Sequence, residues 1–221
     1  RLQGDWSSDV CSSDLDGTNS RIEMGSLTRI SDTYASGFGE DLYSTLSAKN
    51  GGSIDAAALT TLTGVNLDLD GTGTLAVSQI TSLLRSRASV TGAGQTFSNL
   101  TDATDTEFLA TGAAISLPVL TTLRWGGMTL ASGGTITAPL VTDIDGANLS
   151  VSGGVTLRLA GVTSYSGAGT GNDQHRVFRA EGAGCRIELP ALQTMTGSTY
   201  YNNRRSEEHT SELQSPCNLV C

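Results

Sequence analysis

Residues 115–123 read ISLPVLTTL, residues 136–144 read ITAPLVTDI and residues 157–165 read LRLAGVTSY. The three stretches share one pattern: apolar, any, apolar, small or proline, any, apolar, mostly threonine, any, apolar. Followed outward in both directions, the pattern recurs eight times. Its first apolar column is Ile22, Ile54, Leu75, Gln95, Ile115, Ile136, Leu157 and Ile187, with one polar member. The second is Met24, Ala56, Val77, Phe97, Leu117, Ala138, Leu159 and Leu189. The third is Leu27, Leu59, Ile80, Leu100, Leu120, Val141, Val162 and Leu192, and the fourth is Ile30, Leu62, Leu83, Ala103, Leu123, Ile144, Tyr165 and Met195. A file of threonines (Thr28, Thr60, Thr81, Thr101, Thr121, Thr142, Thr163) follows the third column and is broken only by Gln193. From Ile54 to Leu157 the steps are 20 or 21 residues.

A fixed period of this length marks a stacked-repeat architecture. Helical repeats do not fit, because Gly, Thr and Ser dominate and the spacing of two between the first columns is strand periodicity. A third short strand is expected before each pair, at Leu46/Ala48, Leu67/Leu69, Ala88/Val90, Phe108/Ala110, Met128/Leu130 and Leu149/Val151. Glycine-rich turns such as Gly133-Gly134 and Gly153-Gly154 separate it from the pair. Pro118, Pro139 and Pro190 share one column directly after the second apolar position. Proline cannot donate to a ladder, so that column must be a bend. The expected fold is all-β: a parallel β-solenoid of about eight rungs of 20–21 residues, three short strands to a rung. Two longer loop insertions, after Ile30 and after Tyr165, leave from the same corner.

The two ends read differently. Residues 205–215, RSEEHTSELQS, can be written back in codons as a short-read sequencing adapter. Residues 5–14, DWSSDVCSSD, are the in-frame translation of such an adapter's reverse complement. The sequence therefore divides into an adapter-derived segment 1–15, a repeat segment 16–204 and an adapter-derived segment 205–221. The end segments are expected not to extend the rung pattern. The repeat segment, exposing uncovered rungs, is expected to self-associate end to end.

The whole chain carries a net charge of −9, and residues 16–204 alone carry 16 acidic and 11 basic residues. Mild acidity without a basic cluster argues against a nucleic-acid partner. No run is long and apolar enough for membrane insertion. Of four cysteines only Cys185 lies within 16–204, which leaves no disulfide framework.

The stretches SGGVTLRLAGVTSYSG (152–167), FRAEGAGCRIELPALQTMTG (178–197) and GGSIDAAALTTLTG (51–64) resemble β-solenoid repeats of very large secreted or surface proteins of environmental, planctomycete-like bacteria. The resemblance covers nearly all of 16–204. It implies an extracellular or cell-surface stalk or adhesin-like region, and supplies no catalytic residues.

Candidate chemistry is sparse. Asp68/Asp70-Gly71 and Asp143/Asp145-Gly146 look like pieces of calcium loops, but neither continues into the next rung, and solvated turn aspartates are the simpler reading. The threonine file suggests an ice-binding array, but charges interrupt any second file, and stacked threonines also suit a strand ladder. Cys185 reads as an inert small residue and His175 as a solvated loop residue, with no nucleophile pattern around them. No metal, cofactor or catalytic residue is expected. The functional hint is aromatic: Tyr34, Phe38 and Tyr43 in or beside the first insertion, and Tyr200 and Tyr201 near the end, could touch a glycan or another surface protein. Two functions follow: a structural or adhesive surface module without catalysis, or a fragment of a polysaccharide-active β-helix lyase or glycoside hydrolase. The second needs acids converging on one face. Asp55, Asp68, Asp102, Asp143 and Glu188 read as scattered.

Overall fold

The computed structural model describes residues 13–32, 44–167, 176–197 and 218–220. Among them there is no helix, and every strand pairing is parallel. The first face is one sheet of eight strands: Ser13–Asp16, Ser44–Lys49, Val65–Leu69, Arg87–Thr91, Glu107–Thr111, Gly127–Ala131, Asn148–Ser152 and Phe178–Glu181, in that order. The second face carries the short strands of the first and second columns. Ile22 pairs with Ile54, Ile54 with Leu75, Gln95 with Ile115, Ile115 with Ile136, and Leu157 with Ile187. The third face stacks Ile30 on Leu62 and Leu83, and Tyr165 on Met195. Single bridges continue it through Ser82, Asp102, Thr122 and Asp143. The parallel β-solenoid expected from the repeat is the fold of this chain.

The columns form the core. Leu100, Leu120, Val141 and Val162 are each 0% exposed, one above another in the third column. Fully burying each such side chain stabilises the rod by about 1.5–3 kcal/mol relative to leaving it in water. The same columns open at the terminal rungs, where Leu27 is 36% and Met195 49% exposed. Phe97 and Phe108 meet edge to face at 5.9 Å inside the rod. Tyr165 and Phe178 pack at 4.7 Å next to the second insertion.

Each rung turns three corners. The proline column is a tight turn: the N–H of Val141 donates to the Ala138 carbonyl (3.3 Å) and that of Leu192 to Leu189 (3.0 Å). This puts Pro139 and Pro190 at the second turn position, where a fixed φ is an advantage. Just beyond it the threonines knit the rungs together. The Thr121 carbonyl accepts from the N–H groups of both Thr142 (3.0 Å) and Asp143 (3.3 Å). The carbonyls of Thr28, Thr60 and Thr81 accept the same pair from the next rung. The hydroxyls of Thr81 and Thr101 also donate to the preceding threonine carbonyl, each at 3.2 Å. The threonine file is thus a structural ladder.

The corner after the fourth column is left-handed. Gly64, Arg85, Asp105, Trp125 and Gly146 all have positive φ, between 48° and 68°. Each donates its N–H to the next rung; Trp125, for example, donates to Asp145 at 2.9 Å. Keeping the ladder unbroken around this bend forces the conformation on whichever residue stands there, although non-glycine residues resist it.

The eight strands of the first face match the eight rungs expected. One expectation needs correction, since pairing does not stop at residues 16 and 204: Ser13–Asp16 lies parallel to Leu46–Lys49, and Asn218–Val220 to Arg186–Glu188. The edge strand of a parallel ladder offers backbone N–H and C=O groups, which accept any extended segment whatever its side chains.

Candidate functional site

The interior is filled by side chains, so candidate chemistry lies on the outward faces and corners. Arg87 pairs with Glu107 (3.6 Å) and Lys49 with Asp68 on the first face. On the second, Arg21 reaches Asp55 (3.4 Å) and Arg158 reaches Glu188 (2.8 Å). Opposite charges on neighbouring strands belong to the ordinary economy of a solenoid surface and contribute little each.

The calcium-like fragments resolve into local turns. Asp70 accepts the N–H and hydroxyl of Thr72 (both 2.8 Å) and the N–H of Gly73 (3.3 Å). The Thr72 hydroxyl in turn accepts the Asn50 N–H from the rung before (2.7 Å). These donors, led by the Thr72 backbone N–H, hold the Asp70 carboxyl below its ordinary range. Cys185 is buried and engaged: its Sγ accepts the Gly154 N–H (3.2 Å) and donates to the Glu181 carbonyl (2.8 Å).

The third face gathers more charge than expected. Asp102, Thr122 and Asp143 stand in one file, one rung apart. Beside them Arg124 contacts Asp143 (Nε to Oδ2, 2.6 Å) and Asp145 (Nη2 to Oδ2, 3.9 Å). Asp102 and Asp143, read as scattered, therefore share a face, about 9.6 Å apart at two strand spacings. Each carboxylate already serves a bend. Asp102 accepts from the Thr104 N–H (3.1 Å), Asp143 from the Asp145 N–H (3.1 Å) and Asp145 from the Ser166 N–H (2.7 Å).

Tyr34, Phe38, Tyr43, Tyr200 and Tyr201 lie outside the described residues, as does His175. Where their segments depart is described. The first insertion leaves at Asp32 and returns at Ser44, and the Asp32 carboxylate accepts both the N–H (3.0 Å) and the hydroxyl (2.9 Å) of Ser44. The second leaves just after Gly167, whose N–H donates to Thr196 (2.7 Å). Asp32 and Gly167 stand two residues beyond the fourth column, as Trp125 does. The left-handed corner is thus the edge of the rod from which both insertions spring.

Trp125 is the residue the repeat pattern passed over. It is 38% exposed at that corner with φ 59°. A Cβ at Gly146, one rung on, would collide with its Cδ1, so the indole occupies the space above that glycine. The available signal was negative: the only tryptophan of 16–204 belongs to none of the four apolar columns. No family model, curated protein or solved structure matches this chain.

Proposed function

We propose that this chain is a non-catalytic structural and adhesive module of a bacterial extracellular or cell-surface protein, a stiff spacer that presents loops along one edge. The observation that carries the reading is the division of labour along the rod. Four columns form a core continuous through the inner rungs, while the insertions and the exposed tryptophan share a single corner. Loops on a rigid scaffold suit recognition of a glycan or another surface protein. The resemblance to repeats of very large surface proteins agrees with it. The exposed ends of the columns at Leu27 and Met195 favour end-to-end self-association; sedimentation velocity over a concentration series tests that, and a concentration-independent monomer would count against it.

The gathering of Asp102, Arg124, Asp143 and Asp145 favours one alternative, a polysaccharide-active hydrolase or lyase. One experiment separates the two. The full chain is incubated with insoluble polysaccharides, and both co-sedimentation and release of new reducing ends or unsaturated products are measured. Retention without release is expected. Sustained release that disappears in Asp143→Asn would replace the adhesive reading with the enzymatic one.

A further inference from the structure

We propose that Trp125 is a stacking platform for a neutral pyranose unit of a glycan, a site that rests on the adhesive reading above. Three observations meet in one rung. First, a bulky aromatic residue occupies a left-handed position, φ 59°, in a column otherwise filled by Gly64, Arg85, Asp105 and Gly146. Such strain persists where surrounding structure enforces it and concentrates at functional sites. Second, more than a third of the residue faces water, so burial in the core does not account for an indole there. Third, a missing side chain makes room for the ring: at Gly146, one rung on, a Cβ would collide with the indole Cδ1.

The chemistry of the rim selects the ligand. A pyranose presents an apolar C–H face to an aromatic ring and hydroxyls around its edge. Hydrogen-bonding groups stand on both flanks: Arg124 and Asp145 on the third face, Glu107 and Asn148 on the first. The charge balance rejects anionic sugars, since Arg124 is shared between Asp143 and Asp145 and the adjoining corner carries Asp105. A uronate or sulfated sugar would meet net negative charge. An organic cation would meet the Arg124 guanidinium beside a single ring in place of an aromatic cage.

The test is a fluorescence titration of the full chain in a Trp6→Phe background, so that emission reports Trp125 alone. The probes are cello-, xylo-, manno- and laminarihexaose, with oligogalacturonate and choline as charged comparisons. A saturable blue shift with at least one neutral hexasaccharide is expected, and none with the charged probes. Isothermal calorimetry then compares variants. Trp125→Leu, which keeps apolar cover over Gly146, should weaken binding about tenfold or more, whereas Trp125→Phe should keep most of it. Far-ultraviolet circular dichroism and the melting temperature of Trp125→Leu, unchanged from the parent chain, guard against misfolding of the leucine variant. Absence of binding to every neutral probe, or tighter binding of oligogalacturonate or choline, overturns the proposal. Neutral-glycan binding indifferent to Trp125→Leu overturns this site while leaving the adhesive reading in place.

Discussion

The bend after the second apolar column and the bend after the fourth carry the chain around the same rod by different means. At the first, local chemistry fits local geometry: proline or a small residue sits where φ is naturally near its ring-fixed value, and a turn bond closes over it. At the second, glycine, arginine, aspartate and tryptophan all adopt the same left-handed conformation. There the ladder of N–H groups reaching the next rung dictates the backbone, and the side chains comply. One bend is specified by its own residues; the other is imposed by its neighbours.

The comparison can be broken most severely at Gly146. Gly146→Val adds a β-branched side chain at positive φ and drives it into Trp125, so urea denaturation should register a loss of about 3–5 kcal/mol. A loss below about 1 kcal/mol would mean that the left-handed corner is as permissive as the proline turn. Tyr165 sharpens the contrast from the core side of the same edge. Its hydroxyl donates to the Ala147 carbonyl (3.2 Å), and burial pushes its pKa up to about 12. A phenol whose folded pKa exceeds its unfolded value near 10 stabilises fully below pH 10 and loses that contribution as pH rises toward 12. Tyr165→Phe should therefore cost about 1 kcal/mol at neutral pH and flatten the fall in melting temperature between pH 10 and 12. An unchanged alkaline limb would contradict the burial argument.

Smaller effects are expected where the bend carries its own specification. Pro139→Ala should lower stability by about 0.4–1 kcal/mol, through added freedom of the unfolded chain. Asp105→Gly should work in the opposite sense, raising stability by about 0.5 kcal/mol as strain at φ 56° is relieved. If the glycine variant is instead the less stable of that pair, the carboxylate contributes more to the corner than the strain costs.

The same contrast explains what could be read before the fold was known. The four columns, the threonine file and the proline bend were legible because each demands one kind of side chain in nearly every rung, and repetition exposes the demand. The left-handed corner was not, since Gly64, Arg85, Asp105, Trp125 and Gly146 share no chemistry. Their common property is a backbone angle that exists only once the rungs are stacked. The third-face charges were legible only in part: the repeat aligns Asp102, Thr122 and Asp143 in one column, but the contacts of Arg124 with Asp143 and Asp145 arise only once the rungs are stacked. The terminal segments erred the other way, because their sequences lack the repeat while their backbones still add to the ladder.

The forked carbonyls of the threonine file have a consequence for how such a rod is made. A chain laying down rungs in turn must align each with the last, and a displacement of one residue would turn every core side chain outward. Most of the ladder is poor at detecting that error, since one backbone amide resembles another. At the threonine corner two successive N–H groups converge on one oxygen, as those of Thr142 and Asp143 do on Thr121, and in three rungs the hydroxyl adds a third donor to such a carbonyl. The paired N–H groups and the carbonyl they share tie each rung to the last at that one point. The corner works as an index mark, checked once per turn, that lets a fold with few distinguishing features keep count of itself.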